Sequence, residues 1–390
     1  MLRLFILAIL LMGLLSTASA TPAFARQMGV SCTACHSQNS YPSLNAFGRK
    51  FKASGFTMVG EQGLIEGDKK ETNSLSLPNT LNAAFITKVR TQKGDKSKSS
   101  LDFPDEAALI LGGRISKHIG TFIEIGYDAG NDKFGLANFK LPMTYEVNDY
   151  TVGVVPFRTD GFGAAGAFEV LNTGAVRGAR VLEDRKTVSA QQYIGTAITA
   201  EGVGAYIYND LWHAAYTAYV PNNGSVHSYS PAHYLRVAMT PQVKGWDLGF
   251  GGQLWTGNSN TVESGKNTTD AYAVDFQAMG AINNTPVSFF ATHAKAKAGA
   301  TSLYNTAVND KSATTVLSEV GVIPSLLSLS AGYRIADNGL ATNSSDDKSI
   351  IGAKYFLAEN MQLQLNYTHA IDKQPNADKD HLLMMFYGGF

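Results

Sequence analysis

The stretch Met361-Gln362-Leu363-Gln364-Leu365-Asn366-Tyr367-Thr368 alternates apolar and polar residues without a break. A period of two places Met361, Leu363, Leu365 and Tyr367 on one face of a strand, and the amides and hydroxyl on the other. Leu327, Leu329, Ala331, Tyr333 and Ile335 repeat the pattern against Ser328, Ser330, Gly332 and Arg334, as do Ile351, Ala353, Tyr355 and Leu357 against Gly352 and Lys354. A soluble β-sandwich shares this period, so segment length and loop rhythm have to decide the fold.

Working outward, segments of this kind lie near 380–390, 361–371, 348–357, 326–335, 313–322, 285–295, 270–281, 245–255 and 232–241. Further ones lie near 211–220, 203–209, 191–200, 147–156, 134–141, 119–128, 106–115 and 80–90. The connections alternate. Ala358-Glu359-Asn360, Ile323-Pro324-Ser325 and Asn283-Asn284 are tight turns, whereas 338–347, 297–312 and 257–268 are long and polar. That rhythm belongs to a transmembrane, porin-like antiparallel β-barrel, with short turns on the periplasmic side. Residues 157–190 hold either one more strand near 165–171 or a loop. Closure with both ends on one side requires an even number, so 16 strands are favoured and 18 possible. A barrel this wide leaves an aqueous channel. Lys88, Arg90, Arg114, Glu124, Arg236, Asp275 and Lys354 fall within the strands and are expected on its watery side.

Composition agrees. Charged residues are only 16% of the 390, below the roughly one quarter of an ordinary soluble protein, while 38 Gly, 17 Tyr and 20 Phe enrich the chain in residues that suit a barrel. Lys plus Arg and Asp plus Glu balance at 32 each, which gives no reason to expect nucleic acid as a partner. Arg3, an apolar run from Leu4 to Leu15 and Ala18-Ser19-Ala20 form a secretory signal peptide over residues 1–20, with an alternative cut after Ala25. The run is too short to span a bilayer as a helix. The final strand ends on Phe390, as bacterial outer-membrane barrels commonly do.

The two cysteines of the chain are Cys32 and Cys35, followed at once by His36. In an exported chain a disulfide is the default. C-x-x-C-H instead marks covalent attachment of haem c, with thioethers from Cys32 and Cys35 and His36 as proximal iron ligand. A thioredoxin-like redox pair would need a surrounding βαβ pattern, which is absent. The segment 21–60 therefore reads as a small helical monohaem cytochrome c domain, with a short helix over 43–51, a polar linker at 61–79 and the barrel at 80–390. Some tens of residues are too few to bury a haem unaided, so the barrel lumen or its periplasmic mouth is expected to supply walls. For the sixth ligand Met58 is the first Met after the motif, since Met28 lies too close before Cys32. His213, His233 or His293 are the alternatives if they face the lumen.

Other motifs carry little. Gly161-Phe162-Gly163-Ala164-Ala165-Gly166, with Glu183 downstream, matches a nucleotide fingerprint but lacks the strand-and-helix setting, and reads as a loop folded into the pore. The sequons at Asn223 and Asn267 sit in loops rich in such residues anyway, and His227, His369 and His381 lack metal-ligand spacing. Asp346 and Asp347 would attract cations, as solvated acidic loops do.

Ala23-Phe24-Ala25-Arg26-Gln27-Met28-Gly29-Val30-Ser31-Cys32-Thr33-Ala34-Cys35-His36, followed by Leu44 and Phe47-Gly48-Arg49-Lys50-Phe51-Lys52, resembles the fused monohaem cytochrome-porins of bacterial outer membranes, the ferrous iron oxidases. The resemblance runs to about Gly55; beyond it the likeness is architectural. It implies oxidation of extracellular Fe(II), with electrons passing through one haem c to soluble periplasmic c-type cytochromes, and it carries Cys32, Cys35 and His36 over as attachment and ligand. Three readings compete: an iron-oxidising conduit, a conduit of the same build for another donor or acceptor, and a diffusion porin with a haem plug.

Overall fold

The computed structural model describes residues 22–37, 43–67, 76–128, 132–221, 230–261, 265–372, 374–375 and 377–390. The signal peptide at 1–20, Asn223 and His227 lie outside them. Three short helices open the described chain, α1 (Pro22–Met28), α2 (Cys32–Cys35) and α3 (Ala46–Ala53). Within the expected linker, Leu64–Glu66 pairs antiparallel with Ser76–Pro78.

The rest is one closed antiparallel sheet. Its first half is β1 (Ala83–Gly94), β2 (Ser100–Arg114), β3 (Gly120–Asp128), β4 (Lys133–Lys140, continued by Met143–Val147), β5 (Tyr150–Thr159), β6 (Ala200–Tyr208), β7 (Trp212–Pro221) and β8 (Ala232–Met239, continued by Gln242–Val243). Its second half is β9 (Trp246–Thr256), β10 (Ala271–Ile282), β11 (Thr285–Ala296), β12 (Lys311–Ile323), β13 (Leu327–Asp337), β14 (Lys348–Ala358), β15 (Met361–Ala370) and β16 (Asp380–Gly389). The described residues thus form a barrel of sixteen strands, the two continuations counted with their parents. It closes where β16 pairs β1, from His381 opposite Gly94 to Gly389 opposite Ile86, and Phe85 and Phe390 exchange backbone hydrogen bonds of 2.8 and 3.0 Å.

Faces follow the alternation, but the burial is inverted relative to a soluble sheet. Leu365 is 45% exposed on the outside and Gln364 is 2% exposed on the inside; Met361, Leu363 and Tyr367 join the first, Gln362, Asn366 and Thr368 the second. Tyr272, Val274 and Phe276 of β10 likewise face out, and Asp275 and Gln277 face in. An apolar exterior around a polar interior is the arrangement that hydrocarbon outside the barrel favours.

The strand ends follow turn chemistry. Asn283 and Asn284, both at positive φ (47° and 64°), close the β10–β11 turn as a two-residue hairpin requires. The short turns share one end of the barrel with the entry of β1 and the exit of β16 (the terminal end), and the longer connections share the other (the loop end).

Two strand assignments are corrected. The segment near 191–200 is not a strand: Ser189 caps a helical turn over Ala190–Tyr193 by accepting from the Gln192 N–H, and β6 begins only at Ala200. The strand expected at 147–156 starts at Tyr150, because Asn148 (φ 55°) and Asp149 turn the chain out of β4. Nor is 165–171 a strand: the whole 160–199 connection is a loop folded into the bore. The channel expected in so wide a barrel is accordingly filled in part by this loop and, from the terminal end, by the N-terminal helices.

Leu365→Arg puts a cation against lipid and is expected to cost about 2–4 kcal/mol at mid-bilayer depth, read as a lowered urea midpoint of the lipid-reconstituted barrel. Leu365→Val should leave that midpoint nearly unchanged.

Candidate functional site

The α1 helix enters the barrel mouth beside β1–β3. Buried Gln27 anchors it: its Nε2 donates to the carbonyls of Phe56 (2.7 Å) and Met58 (2.6 Å), and its Oε1 accepts from Asn82 Nδ2 (2.8 Å) and the Arg114 N–H (3.1 Å). Around it Phe24 stacks on Phe56 at 4.8 Å, meets Phe51 edge-on at 5.2 Å and approaches Phe122 of β3 at 6.3 Å. Met28 packs in this cluster, and Met58 lies partly buried against it.

In α2 the chain turns so that the His36 N–H donates to the Cys32 carbonyl at 2.9 Å. The Cys32 N–H donates to Glu359 Oε2 at 2.9 Å, in the β14–β15 turn. Burial, together with the Glu359 carboxylate, pushes the Cys32 thiol well above its usual range, and burial also raises Cys35. A redox-active pair needs at least one low-pKa thiolate, so the setting speaks against a thioredoxin-like role.

The α3 helix packs directly on the motif. Asn45 caps it by accepting from the Gly48 N–H at 3.0 Å and ties it down by donating to the Ala34 carbonyl at 2.9 Å. A Cβ at position 48 would stand 2.3 Å from the Cys35 carbonyl oxygen, so only glycine permits this contact. Farther along α3, Arg49, 1% exposed, makes two 2.7 Å bonds to Asp247 at the start of β9, and Tyr206 of β6 donates to the Ala53 carbonyl at 2.6 Å.

The 160–199 loop reaches this assembly from the loop end. Asn172 grips Leu44, the residue bridged to His36, accepting from its N–H at 2.8 Å and donating to its carbonyl at 2.9 Å. The loop is held to the wall by charge. Arg236 of β8 pairs with Glu169 at 2.8 Å and with Asp275 of β10 at 2.8 Å, all three side chains being out of water. Burial alone would raise the Glu169 carboxyl, but Arg236, the neighbouring charges and the Leu171 N–H bring it below its usual value. Phe168 stacks on Tyr206 at 3.8 Å. Gly161–Gly166 lies in this loop with only a 3-10 turn over Ala164–Gly166, and Glu183 is spent on Arg180 (2.7 Å) and Arg185 (3.3 Å).

Between these parts lies a cavity of about 680 Å³, within the size range of ligand sites. Cys35 and His36 stand on its wall with Phe24, Val30, Leu44, Phe51, Phe56 and Phe122, and the remainder mixes apolar residues such as Ile110 and Leu171 with charged groups. A covalently attachable motif opening on a large, aromatic, partly charged cavity fits a flat apolar macrocycle with carboxylate arms. A second cavity of about 580 Å³ lies toward the loop end, lined by Arg90, Lys186, Lys348 and His381, and shares Asp160 and Arg177 with the first.

Met58 is not among the residues that wall the larger cavity. Of the three alternatives, His233 and His293 face outward, bonded to Tyr216 and Thr314, while His213 faces the lumen between Phe168 and Tyr208, and neither of its ring nitrogens has a hydrogen-bond partner among the described residues. The seven charged strand residues expected inside do point inward; Arg236 and Lys354 are fully buried. Asp346 and Asp347 hold structure, Asp346 on Arg334 at 2.8 Å and Asp347 on the Ala336 N–H at 2.9 Å. Among the described residues no group of three or more His, Cys, Asp or Glu side chains is placed to hold a metal ion. Sequence reading missed Arg49–Asp247 and Asn172, whose partners lie far away in the chain.

No family model matches the chain, and no curated protein matches it either. Solved structures do. OmpF of Salmonella typhi in complex with daunomycin superposes at TM-score 0.50 with 15% identity, over 84% of this chain and 100% of that one. A structure described as engineered proteins of asymmetric conductivity superposes at TM-score 0.52 with 11% identity, over 80% of this chain and 100% of that one. At these identities the likeness establishes a porin-type barrel fold and nothing further.

Asp247→Asn leaves a buried guanidinium without its counter-charge and is expected to loosen residues 43–56 by about 3–5 kcal/mol, seen as faster amide exchange there. Burial would raise Glu183, but Arg180, Lys88 and Arg185 hold it at about 2, below the unfolded value of about 4.3. Its contribution is therefore full above that unfolded value and lost as pH falls toward 2. Glu183→Gln should flatten this acid limb in urea midpoints measured between pH 5 and 2.5.

Proposed function

We propose that this chain is an outer-membrane c-type cytochrome-porin that oxidises extracellular Fe(II) and delivers the electrons to a periplasmic c-type cytochrome, an iron:cytochrome c type of oxidoreductase. The observation that carries the reading is the position of Cys35 and His36 on the wall of a large aromatic cavity inside a closed barrel. The apolar exterior supports an outer-membrane location, and the short turns at the terminal end support a periplasmic position for that end and the motif.

Cys32 and Cys35 would hold one haem c through thioethers and His36 would ligate its iron, supplying a one-electron Fe(III)/Fe(II) couple. The chain's own residues do the rest. Phe24, Phe51, Phe56 and Phe122 exclude water from the apolar side, Asn172 and Asn45 fix the backbone on either side of His36, and Gly48 lets α3 close over Cys35. Each Fe(II) outside loses one electron and becomes Fe(III), and each periplasmic cytochrome accepts one. Met58 is the proposed distal ligand, and His213 is the competing imidazole.

The two cavities lie side by side, with Asp160 and Arg177 in both linings, and this stacking along the bore favours a second reading, a diffusion porin with a haem plug. Purified full-length protein separates the readings. Covalent haem reduced on anaerobic mixing with Fe(II) is expected; haem that stays oxidised despite a suitable potential points to another donor or acceptor, and solute flux through liposomes to the porin. Met58→Ala should abolish the low-spin spectrum. An unchanged spectrum, with loss in His213→Ala, would transfer the ligand role to His213.

A further inference from the structure

Two lysines on the wall of the large cavity make no ion pair among the described residues. Lys52 comes from α3 and Lys140 from β4, so one belongs to the N-terminal segment and the other to the barrel. Four of the five cavity carboxylates are occupied: Glu106 by Lys88 at 2.5 Å, Asp105 by Arg90 at 2.6 Å, Glu169 by Arg236 at 2.8 Å, and Glu124 by the Asn138 amide; the fifth, Asp160, lies beside Arg177. Among the described residues neither Lys52 nor Lys140 has a carboxylate within 4.0 Å. Lys140, 7% exposed, has the rings of Phe122 and Phe162 near its Nζ, at 6.0 and 5.3 Å from the centroids. The Lys52 charge acts unfavourably on Lys140, and burial pushes Lys52 below its usual range although the Glu169 carboxylate opposes that shift.

Like charges held near one another out of water are unfavourable unless a counter-charge joins them. Holding both on the wall of one aromatic cavity, beside a haem-attachment motif, describes a seat for a ligand with an apolar body and two carboxylates. We propose that Lys52 and Lys140 bind the two propionates of haem, so that the cofactor pins the N-terminal segment to the barrel wall by charge as well as by thioether. This rests on the haem reading above and adds to it two ligand-binding residues that the C-x-x-C-H motif does not include.

The test uses the full chain matured with covalent haem, as wild type, Lys52→Gln, Lys140→Gln and the double variant, each checked for folding by heat-modifiable migration. Haem content should be equal in all four, because thioethers hold it. Removing a cation beside the propionates favours the ferric state, so the midpoint potential should fall in each single variant and further in the double, and the propionate bands in the resonance Raman spectrum should shift. Lys52→Arg and Lys140→Arg should restore both readouts. Lys52→Met and Lys140→Met, which keep the stems packed, replace any Gln variant that fails to fold. Equal haem content with unchanged potentials and propionate bands overturns the lysine assignment and leaves the haem reading standing. A wild type without covalent haem overturns both.

Discussion

Everything in this molecule depends on the closure of β16 onto β1. In hydrocarbon each unpaired backbone N–H or C=O costs several kcal/mol, and a sheet escapes that cost only by having no edge. The pairing from His381–Gly94 to Gly389–Ile86, reinforced by the reciprocal bonds of Phe85 and Phe390, removes the last edge. Closure also sets the chemistry on each side. Leu365 and its row face outward, and the interior collects the amides, hydroxyls and charges that a soluble protein would send to its surface.

That polar interior then serves as the core for the N-terminal segment and for the 160–199 loop. The N-terminal helices are short, and each finds its counterpart on the wall: α1 through Gln27 on β2, α2 through the Cys32 N–H on Glu359, and α3 through Arg49 on Asp247 of β9 and Ala53 on Tyr206 of β6. The 160–199 loop uses the same currency in Glu169 against Arg236 and Asp275. Buried ion pairs are weak sources of net stability because desolvation opposes the Coulomb gain. What they supply is position, since a carboxylate placed anywhere else in the bore would lack its partner. Loop and helices meet at Asn172 and Leu44, next to His36, and the cavity lies where these two insertions and the wall leave a gap.

Strand identity was legible wherever a β-strand had to show one face to lipid and one to water. It failed where neither condition applied. The 191–200 stretch is apolar and β-branched enough to pass for a strand, yet it lies inside the barrel, where burial on all sides removes the alternation, and Ser189 starts a helical turn instead. The boundary near 147–156 moved because Asn148 and Asp149 are a turn within a run of β-formers. Of the site, the motif Cys32-Thr33-Ala34-Cys35-His36 could be read directly. Asn172, Arg49–Asp247 and the meeting of Lys52 and Lys140 on one cavity wall could not, because each is a relation between residues distant in the chain.

The sequence by itself determined two things: a strand rhythm of period two with short and long connections in turn, and a C-x-x-C-H motif ahead of it. Both are local, written in neighbours a few positions apart. The tertiary structure alone decided what fills the bore, which histidine turns inward, and which charges find counter-charges. Parity along a strand tells which face a side chain takes; it does not tell what stands across the lumen, because that distance is set by barrel closure and by how two separate segments pack inside it.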